Sequence, residues 1–310
     1  MAMSVRKAIL AVALVVIGLP VVALLAIVTG ISYVNRVDST LVVSGQKREY
    51  LLYVPKSYDH GKPTPLVISL HGAMNWPTFQ KNVSRWNDLA DRQGFIVAYP
   101  AGAGTGLKAW FMEGARTPSR MPDVRFISEL IDTLEARYDV DPARIYANGF
   151  SNGGGMAFAL SCTLSHRIAA IGAVSAAQSL PWSWCTDTTA VPMIAFHGTA
   201  DPFVPYDGAG TSWLNPAPFP NVRRWAADWA RRNGCAPRSA DSVVANGVVR
   251  TAYGGCRNDA SVVLYTIRGG GHQWPGGKPI PAWLVGRPTD GIDATALMWA
   301  FFQQHPLSQP

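Results

Sequence analysis

Short apolar runs alternate with segments of helical periodicity over most of the chain. The apolar runs occupy residues 65–70, 94–99, 144–147, 169–174, 192–196 and 262–267, and helical spacing occupies 124–138, 152–161, 222–233 and 293–303. Runs that are apolar on both faces are typical of parallel strands buried between helices. Because strands and helices alternate, the pattern predicts an α/β domain with a doubly wound, mostly parallel sheet.

Three local signals add detail to this prediction. Residues 41–43 and 50–54 flank a Ser-Gly pair, which predicts an opening hairpin. Asp123 precedes the 124–138 helix and is predicted to be its N-cap. The proline-rich segment 212–221 shows no periodicity, so we interpret it as a loop near the functional site and not as a domain boundary.

The N-terminus carries the longest apolar run. Residues 8–34 contain no charged side chain, and Arg6 and Lys7 precede them. A membrane-spanning helix needs roughly 20 apolar residues, whereas the apolar part of a cleaved signal peptide has about 7 to 15. We therefore predict a signal anchor over 1–35, a linker over 36–40 and one α/β domain over 41–310, outside the cytoplasm. A cleaved leader and secretion are the alternative.

The four cysteines fit an exported protein. They are Cys162, Cys185, Cys235 and Cys256. No two of them form a C-x-x-C pair, which argues against a zinc site. An even number in an exported chain indicates disulfides, and three pairings are open. Pairing of neighbours closes the shortest loops and is the pairing we predict.

The charge balance does not indicate a nucleic-acid-binding protein. The formal net charge is +7, but the arginines are scattered and form no basic stripe interleaved with aromatic residues. A solvated basic surface is the simplest interpretation.

A candidate nucleophile lies in Gly149-Phe150-Ser151-Asn152-Gly153. This G-x-S-x-G pattern is weak by itself, but a predicted strand precedes it and a predicted helix follows. A serine on such a sharp strand-to-helix turn is typical of a nucleophile elbow, where flanking glycines supply the space that the turn needs. Ser151 is therefore the predicted nucleophile.

A serine hydroxyl needs a base, and the base needs an orienting acid. In this type of site the chain order is serine, acid, histidine, which leaves His272 and His305. His305 lies in a polar tail and is expected to be solvated, so His272, just past a strand, is the predicted base. Asp201 follows the 192–196 strand and is the predicted acid, with Asp207 as the nearest rival. Asp187 and Asp241 are weaker candidates, and His197 is expected to be structural.

The negative oxygen of a tetrahedral intermediate needs two backbone donors. The N–H of Asn152, after the nucleophile, is one predicted donor. The second is the N–H of Ala73, in the loop after the 65–70 strand. Trp110, in the 102–122 loop, is a candidate for lining the substrate pocket, with a packing role as the alternative.

Several segments together resemble one esterase family of the α/β-hydrolase type. They are 65–72, 94–100, 123–162, His197-Gly198-Thr199-Ala200-Asp201, Gly234-Cys235 and Gly270-Gly271-His272-Gln273-Trp274-Pro275-Gly276. The family includes polyhydroxybutyrate depolymerases, feruloyl esterases and acetyl xylan esterases, and the resemblance covers roughly residues 41–306.

The resemblance implies roles for individual residues. Ser151, Asp201 and His272 match the family's catalytic triad, and Ala73 falls where the family has a backbone oxyanion donor. Cys235 and Cys256 match a family disulfide. Trp274 falls where the family has an aromatic residue near the acyl pocket, with packing as the alternative.

The expected function is that of a serine esterase outside the cytoplasm, acting through an acyl-enzyme on polyhydroxyalkanoate, feruloyl or acetyl esters. No metal or organic cofactor is expected. Two alternatives remain open at this stage. One is an acyltransferase whose acceptor is a sugar or lipid alcohol, and the other is a membrane-tethered binding protein with an inactive hydrolase fold.

Overall fold

A computed structural model describes residues 37–104, 106–110, 122–178, 180–185, 187–210, 218–289 and 291–307. Residues 38–310 form one compact unit. The predicted signal anchor lies outside the described residues. Within the described ranges, no helix combines the length and the apolar character that crossing a bilayer requires.

The described strands form one ten-stranded sheet. They are β1 (Ser39–Val43), β2 (Gln46–Tyr53), β3 (Thr64–Leu70), β4 (Ile96–Pro100), β5 (Val140–Phe150), β6 (Ala170–Val174), β7 (Met193–Gly198), β8 (Ala240–Ala245), β9 (Val248–Tyr253) and β10 (Val262–Ile267). Their order across the sheet is β1-β2-β4-β3-β5-β6-β7-β10-β9-β8. The six central strands, β4-β3-β5-β6-β7-β10, are mutually parallel. Each of the six predicted apolar runs is one of these strands, so the predicted α/β class is confirmed.

Antiparallel hairpins close both edges of the sheet. β1 and β2 pair around Ser44 and Gly45, as predicted. β8 and β9 form a second hairpin that the hydrophobic pattern did not predict. The reason is that β8 is mostly exposed and its apolar run, Val243–Ala245, has only three residues.

Helices cover both faces of the sheet. They are α1 (Pro77–Ser84), α2 (Trp86–Gln93), α3 (Pro122–Glu135), α4 (Asn152–Thr163), α5 (Val222–Arg232), the short α6 (Ala282–Val285) and α7 (Ala294–Gln303). Alternate residues of a strand point to opposite faces. Leu66, Ile68 and Leu70 of β3 accordingly join a core cluster with α3, α4 and α5. α2 and α7 contact each other, as do α3 and α4.

A buried ion pair replaces the predicted N-cap of α3. Asp123 lies inside the first turn of the helix, and its Oδ1 is 2.6 Å from a guanidinium nitrogen of Arg48 on β2. The Arg48 guanidinium also stacks on Phe126, 4.1 Å from the ring centre. The N-cap prediction was therefore wrong, because the helix begins at Pro122, before Asp123, and the carboxylate contacts Arg48, which is distant in sequence.

The structure joins Cys162 to Cys185 and Cys235 to Cys256, the two neighbouring pairs. The first disulfide ties α4 to the segment after β6. The second ties the chain after α5 to the chain after β9, at the edge of the sheet. The first disulfide closes a loop that contains β6, and the second closes a loop that contains β8 and β9.

Candidate active site

Ser151 is the single residue between β5 and α4. Its backbone has φ 54° and ψ −120°, a conformation that a non-glycine residue adopts only at a cost. Its N–H donates to the carbonyl of Val174 on β6, at 2.8 Å. Its carbonyl accepts the N–H groups of Gly154 and Gly155, so the first turn of α4 fixes it from the other side. The hydroxyl is thus presented at the carboxyl edge of the sheet by backbone bonds alone.

Two glycines make this turn sterically feasible. A Cβ atom on Gly153 would lie 2.3 Å from the carbonyl oxygen of Leu70, at the end of β3. A Cβ atom on Gly149 would lie 2.1 Å from the carbonyl carbon of Gly153. Neither gap accommodates a side chain, which confirms the steric reason for expecting glycine at both positions.

His272 and Asp201 form a hydrogen-bonded pair. Nδ1 of His272 lies 2.8 Å from Oδ2 of Asp201. The other carboxylate oxygen, Oδ1, accepts the N–H groups of Phe203 and Val204, each at 2.9 Å. Burial raises the pKa of Asp201, but the hydrogen bond and charge of His272, the charge of His197 and the N–H of Val204 together lower it, so the pKa lies below its ordinary value. The carboxylate is therefore ionised and oriented at neutral pH.

Two phenyl rings contact the imidazole of His272. The ring of Phe150 is 4.7 Å from it between centres, and that of Phe203 is 5.2 Å away. The backbone N–H of His272 donates to the carbonyl of Val285 on α6, at 2.6 Å. Among the described residues no hydrogen bond joins His272 to the hydroxyl of Ser151. Because Phe150 directly precedes Ser151 and contacts the imidazole, His272 lies beside the elbow. A hydrogen bond between a catalytic base and its nucleophile often forms fully only when substrate binds.

The rival acids lie elsewhere. Asp207 is exposed, Asp187 accepts a hydrogen bond from Ser165, and Asp241 pairs with Arg223 at 3.2 Å. Of the candidates that the sequence offered, Asp201 is the acid that contacts His272.

The other histidines have structural contacts. The ring nitrogens of His197 lie 2.8 Å from the carbonyl oxygen of Val204 and 3.1 Å from that of Ala176, which fits the expected structural role. Burial lowers the pKa of His197, although the charge of Asp201 opposes this. His305 is only part-exposed and contacts Ser261, so the expectation of a solvated side chain was wrong.

The two predicted oxyanion donors are available. Within the described part of the chain, neither the N–H of Ala73 nor that of Asn152 has a hydrogen-bond partner. The Asn152 side chain has a function that the sequence did not reveal. Its Oδ1 accepts the backbone N–H of Trp110 at 2.7 Å, and its Nδ2 donates to the Trp110 carbonyl at 3.1 Å. This paired contact fixes Asn152, whose backbone N–H is the first of the two predicted donors.

A buried histidine holds the loop that contains Ala73. Nδ1 of His71 donates to the carbonyl of Gly72 at 2.7 Å, and Nε2 accepts the N–H of Gly102 at 3.0 Å. Both bonds are made by the neutral ring. Burial lowers the pKa of His71 to about 4, so the neutral form persists through the physiological range. No motif in the sequence pointed to this role of His71.

The two tryptophans predicted near the substrate are buried. Trp110 is 1% exposed, and its indole N–H donates to the carbonyl of His71 at 2.8 Å. Trp274 is 3% exposed, and its indole N–H donates to Thr295 at 2.9 Å. The structure therefore favours the packing alternative for both and does not support their assignment to the substrate pocket. Trp110 instead braces the loop that contains Ala73.

Two surface cavities, of about 540 and 510 Å³, lie apart from this site. One is lined by residues that include Lys81 and Lys278, and the other by residues that include Trp182 and Arg232. Neither includes Ser151, Asp201 or His272. Among the described residues, no group of three side chains is arranged to hold a metal ion.

Comparisons with known proteins bear on the family of this chain. The model of the phospholipase/carboxylesterase family matches residues 58–212. The chain is 32% identical over 262 residues to feruloyl esterase C of Emericella nidulans, which covers 82% of this chain and 83% of that enzyme.

This chain belongs to the phospholipase/carboxylesterase family.

Two further likenesses extend the comparison. Feruloyl esterase B of Piromyces equi is 31% identical over 237 residues, which is 74% of this chain but only 44% of that longer enzyme. The solved acetyl xylan esterase of Aspergillus awamori superposes with a TM-score of 0.63, covering 85% of this chain and 98% of that one. At 15% identity this second likeness shows the α/β-hydrolase fold alone. The family match confirms the predicted esterase resemblance, and the chain is a carboxylic ester hydrolase.

Proposed function

We propose that this family member is a serine esterase that acts outside the cytoplasm through a Ser151–His272–Asp201 triad. The observation that carries the proposal is the 2.8 Å hydrogen bond between His272 and Asp201, beside a serine on a strained elbow. An ionised, buried acid that orients an imidazole next to such a serine suits nucleophilic catalysis.

In the first half of the reaction, Ser151 attacks the carbonyl carbon of the ester. Nε2 of His272 takes the hydroxyl proton, and Asp201 stabilises the resulting imidazolium. The N–H groups of Ala73 and Asn152 bind the negative oxygen of the tetrahedral intermediate. The C–O bond to the alcohol then breaks, and His272 gives its proton to the departing alcohol. The product is an acyl-serine.

In the second half, water repeats the same steps. His272 takes a proton from water as its oxygen attacks the acyl carbon, and the same two N–H groups bind the oxyanion. The bond to Ser151 Oγ breaks as His272 returns the proton to that oxygen. The carboxylic acid leaves, and the enzyme is restored. No step needs a metal ion or an organic cofactor.

The relatives support feruloyl and acetylxylan esters as the substrate class. Those that match in sequence are named feruloyl esterases and a bifunctional acetylxylan esterase/xylanase. The two disulfides support an oxidising compartment, and the apolar run over 8–34 supports attachment to the outer face of a membrane. Residues 1–35 act as the anchor in this proposal.

A fluorophosphonate probe tests the nucleophile directly. The full chain and its Ser151→Ala variant are incubated with the probe, with Ser242→Ala as the matched control because Ser242 is exposed on β8. We expect labelling of the wild type and of the control, and none of Ser151→Ala. Labelling of Ser151→Ala at the wild-type level would exclude the proposed nucleophile.

A further inference from the structure

The backbone of the candidate base is held by the segment that carries α6. Val285, the last residue of α6, accepts the backbone N–H of His272 at 2.6 Å. Two residues further on, the carbonyl of Arg287 accepts the backbone N–H of Gly271 at 2.9 Å. These two bonds fix the chain around His272 from outside the central sheet. The direction of the imidazole therefore depends on where the 280–287 segment lies.

Apolar packing does little to hold this segment in place. The buried residue of α6 is Val285, whereas Ala282, Trp283 and Leu284 are exposed. Trp283 is 86% exposed, so its side chain faces solvent. Burying one valine side chain offsets the conformational entropy of only about one or two ordered residues. The segment therefore needs other contacts to stay in one position.

The side chain of Gln273 supplies such contacts. This residue is buried directly after His272. Its Oε1 accepts the backbone N–H of Ile280 at 3.0 Å, and its Nε2 donates to the carbonyl of Ile280 at 2.7 Å. Nε2 also donates to the carbonyl of Gly286, at 3.0 Å. One carboxamide therefore joins the two ends of the 280–286 loop, on either side of α6.

The chemistry of this contact is specific to an amide side chain. A carboxamide has two N–H donors and a carbonyl acceptor, and Gln273 uses both donors and the acceptor here. A glutamate would lack the donors, and a methionine of similar length would lack all three groups. No sequence motif assigned a role to Gln273, although it lies between His272 and Trp274.

We propose that Gln273 is a positioning residue for His272. By joining both ends of the 280–286 loop, it holds the Val285 carbonyl in place and so keeps the imidazole aligned with Asp201. The inference rests on the proposed function, since it assumes that His272 acts as the base. The contact between Nδ1 of His272 and Oδ2 of Asp201 measures 2.8 Å. A displacement of about 1 Å takes it out of hydrogen-bond range and is enough to lower a rate about 100-fold.

The groups around the imidazole give this displacement a defined sign in the pH profile. Asp201 contacts His272 from the loop after β7, and His197, at the end of β7, lies 3.6 Å from the Asp201 carboxylate. Burial lowers the pKa of His197, which keeps that ring neutral at pH 7. The rings of Phe150 and Phe203 are uncharged. A weaker contact with Asp201 stabilises the imidazolium less, so the base stays neutral and able to accept a proton at lower pH.

The test uses Gln273→Met, which keeps the length of the side chain and removes its three hydrogen bonds. Gln80→Met is the matched control, because Gln80 is also buried and its amide donates to Ser69 on β3 at 2.9 Å. Full-length wild type and both variants hydrolyse 4-nitrophenyl acetate across the acid and neutral pH range. Titration of active sites with the fluorophosphonate removes unfolded protein from the calculation of kcat.

In Gln273→Met we expect kcat to fall at least about tenfold, with KM within about twofold of wild type. The acid midpoint of kcat/KM moves to lower pH by about half a unit or more. Gln80→Met keeps the wild-type midpoint even where its thermal transition is lower. A wild-type kcat in Gln273→Met, or a loss of kcat without movement of the midpoint, would overturn the positioning role. So would a higher KM with unchanged kcat, which would place Gln273 against the substrate.

A second variant and one comparison keep this inference separate from the proposed function. If Gln273→Met does not fold, Gln273→Asn decides, because it keeps the carboxamide but is too short to reach both Ile280 and Gly286. A wild-type kcat and midpoint in that variant would also overturn the role. If wild type neither hydrolyses the ester nor reacts with the fluorophosphonate, the proposed function fails. If wild type does both and the Gln273 variants behave like it, only the positioning role fails.

Discussion

Nδ1 of His272 lies 2.8 Å from Oδ2 of Asp201, although 71 positions separate the two residues in the chain. The two parallel strands β7 and β10 are neighbours in the sheet, and the residues follow their carboxyl ends. The sheet topology therefore brings the pair together. Four consequences of the site geometry can be measured.

Replacing Asp201 by asparagine should lower kcat by about four orders of magnitude. The amide keeps the shape of the carboxylate, but it stabilises neither the required tautomer nor the imidazolium. Initial rates on 4-nitrophenyl acetate provide the measurement. Asp207→Asn is the matched control, since Asp207 is exposed and distinct from the acid that contacts His272. Equal losses in the two variants would show that Asp201 has no special role.

Replacing Asn152 by alanine should lower kcat about tenfold with little change in KM. The backbone donor remains, but it loses the paired side-chain contact with Trp110 that fixes its direction. Donors act in the transition state more than in the ground state, so kcat carries the effect. Steady-state kinetics of Asn152→Ala and of the exposed-site control Asn82→Ala check this. A higher KM with unchanged kcat would assign the side chain to substrate binding instead.

Replacing Gly153 by alanine should destabilise the fold by about 3 kcal/mol and abolish activity. The new Cβ would lie 2.3 Å from the carbonyl oxygen of Leu70, a backbone atom that cannot rotate away. Urea denaturation gives the free energy of unfolding. Gly254→Ala is the control, because nothing lies within 4 Å of a Cβ there. If both variants were equally stable, the close approach of the elbow and β3 would have to be wrong.

The buried His71 should make the fold sensitive to mild acid. Its pKa is lowered from 6.5 to about 4. Below pH 6.5 the unfolded chain takes up a proton that the folded chain refuses until about pH 4. The free energy of unfolding therefore falls as the pH drops through this window. The decrease caused by His71 reaches about 3 kcal/mol near pH 4.

The variant His71→Gln isolates that contribution. Glutamine has an amide NH2 group that donates and a carbonyl oxygen that accepts, but it does not titrate. The stability of the variant should therefore depend less on pH between 7 and 4. His197, whose pKa burial also lowers, retains its own contribution in both proteins. Urea denaturation at pH 7, 5.5 and 4 gives the comparison. Parallel curves for wild type and variant would show that His71 does not cause the acid sensitivity.

Local sequence signals were sufficient for the central sheet and the elbow. A strand such as β3, buried at every position, is recognisable because both of its faces must be apolar. Gly149 and Gly153 mark the turn because a side chain there would collide with backbone atoms. The β8–β9 hairpin also has a local sequence signal, but this signal is in its turn and not in the hydrophobic periodicity of its strands. Its turn contains Asn246-Gly247, with Gly247 at φ 71°, which is a strong hairpin signal even between exposed strands.

The sequence by itself therefore determined the fold class, the elbow and the order of serine, acid and histidine, since these depend on local pattern and on the topology of a parallel sheet. Only the tertiary structure decided which aromatic residues meet solvent. Trp110 and Trp274 are buried and brace loops, whereas Phe203, whose ring lies 5.2 Å from that of His272, is half exposed. Burial depends on which distant elements pack together. The position of an aromatic residue next to a motif in the sequence therefore does not show whether its side chain is buried or exposed.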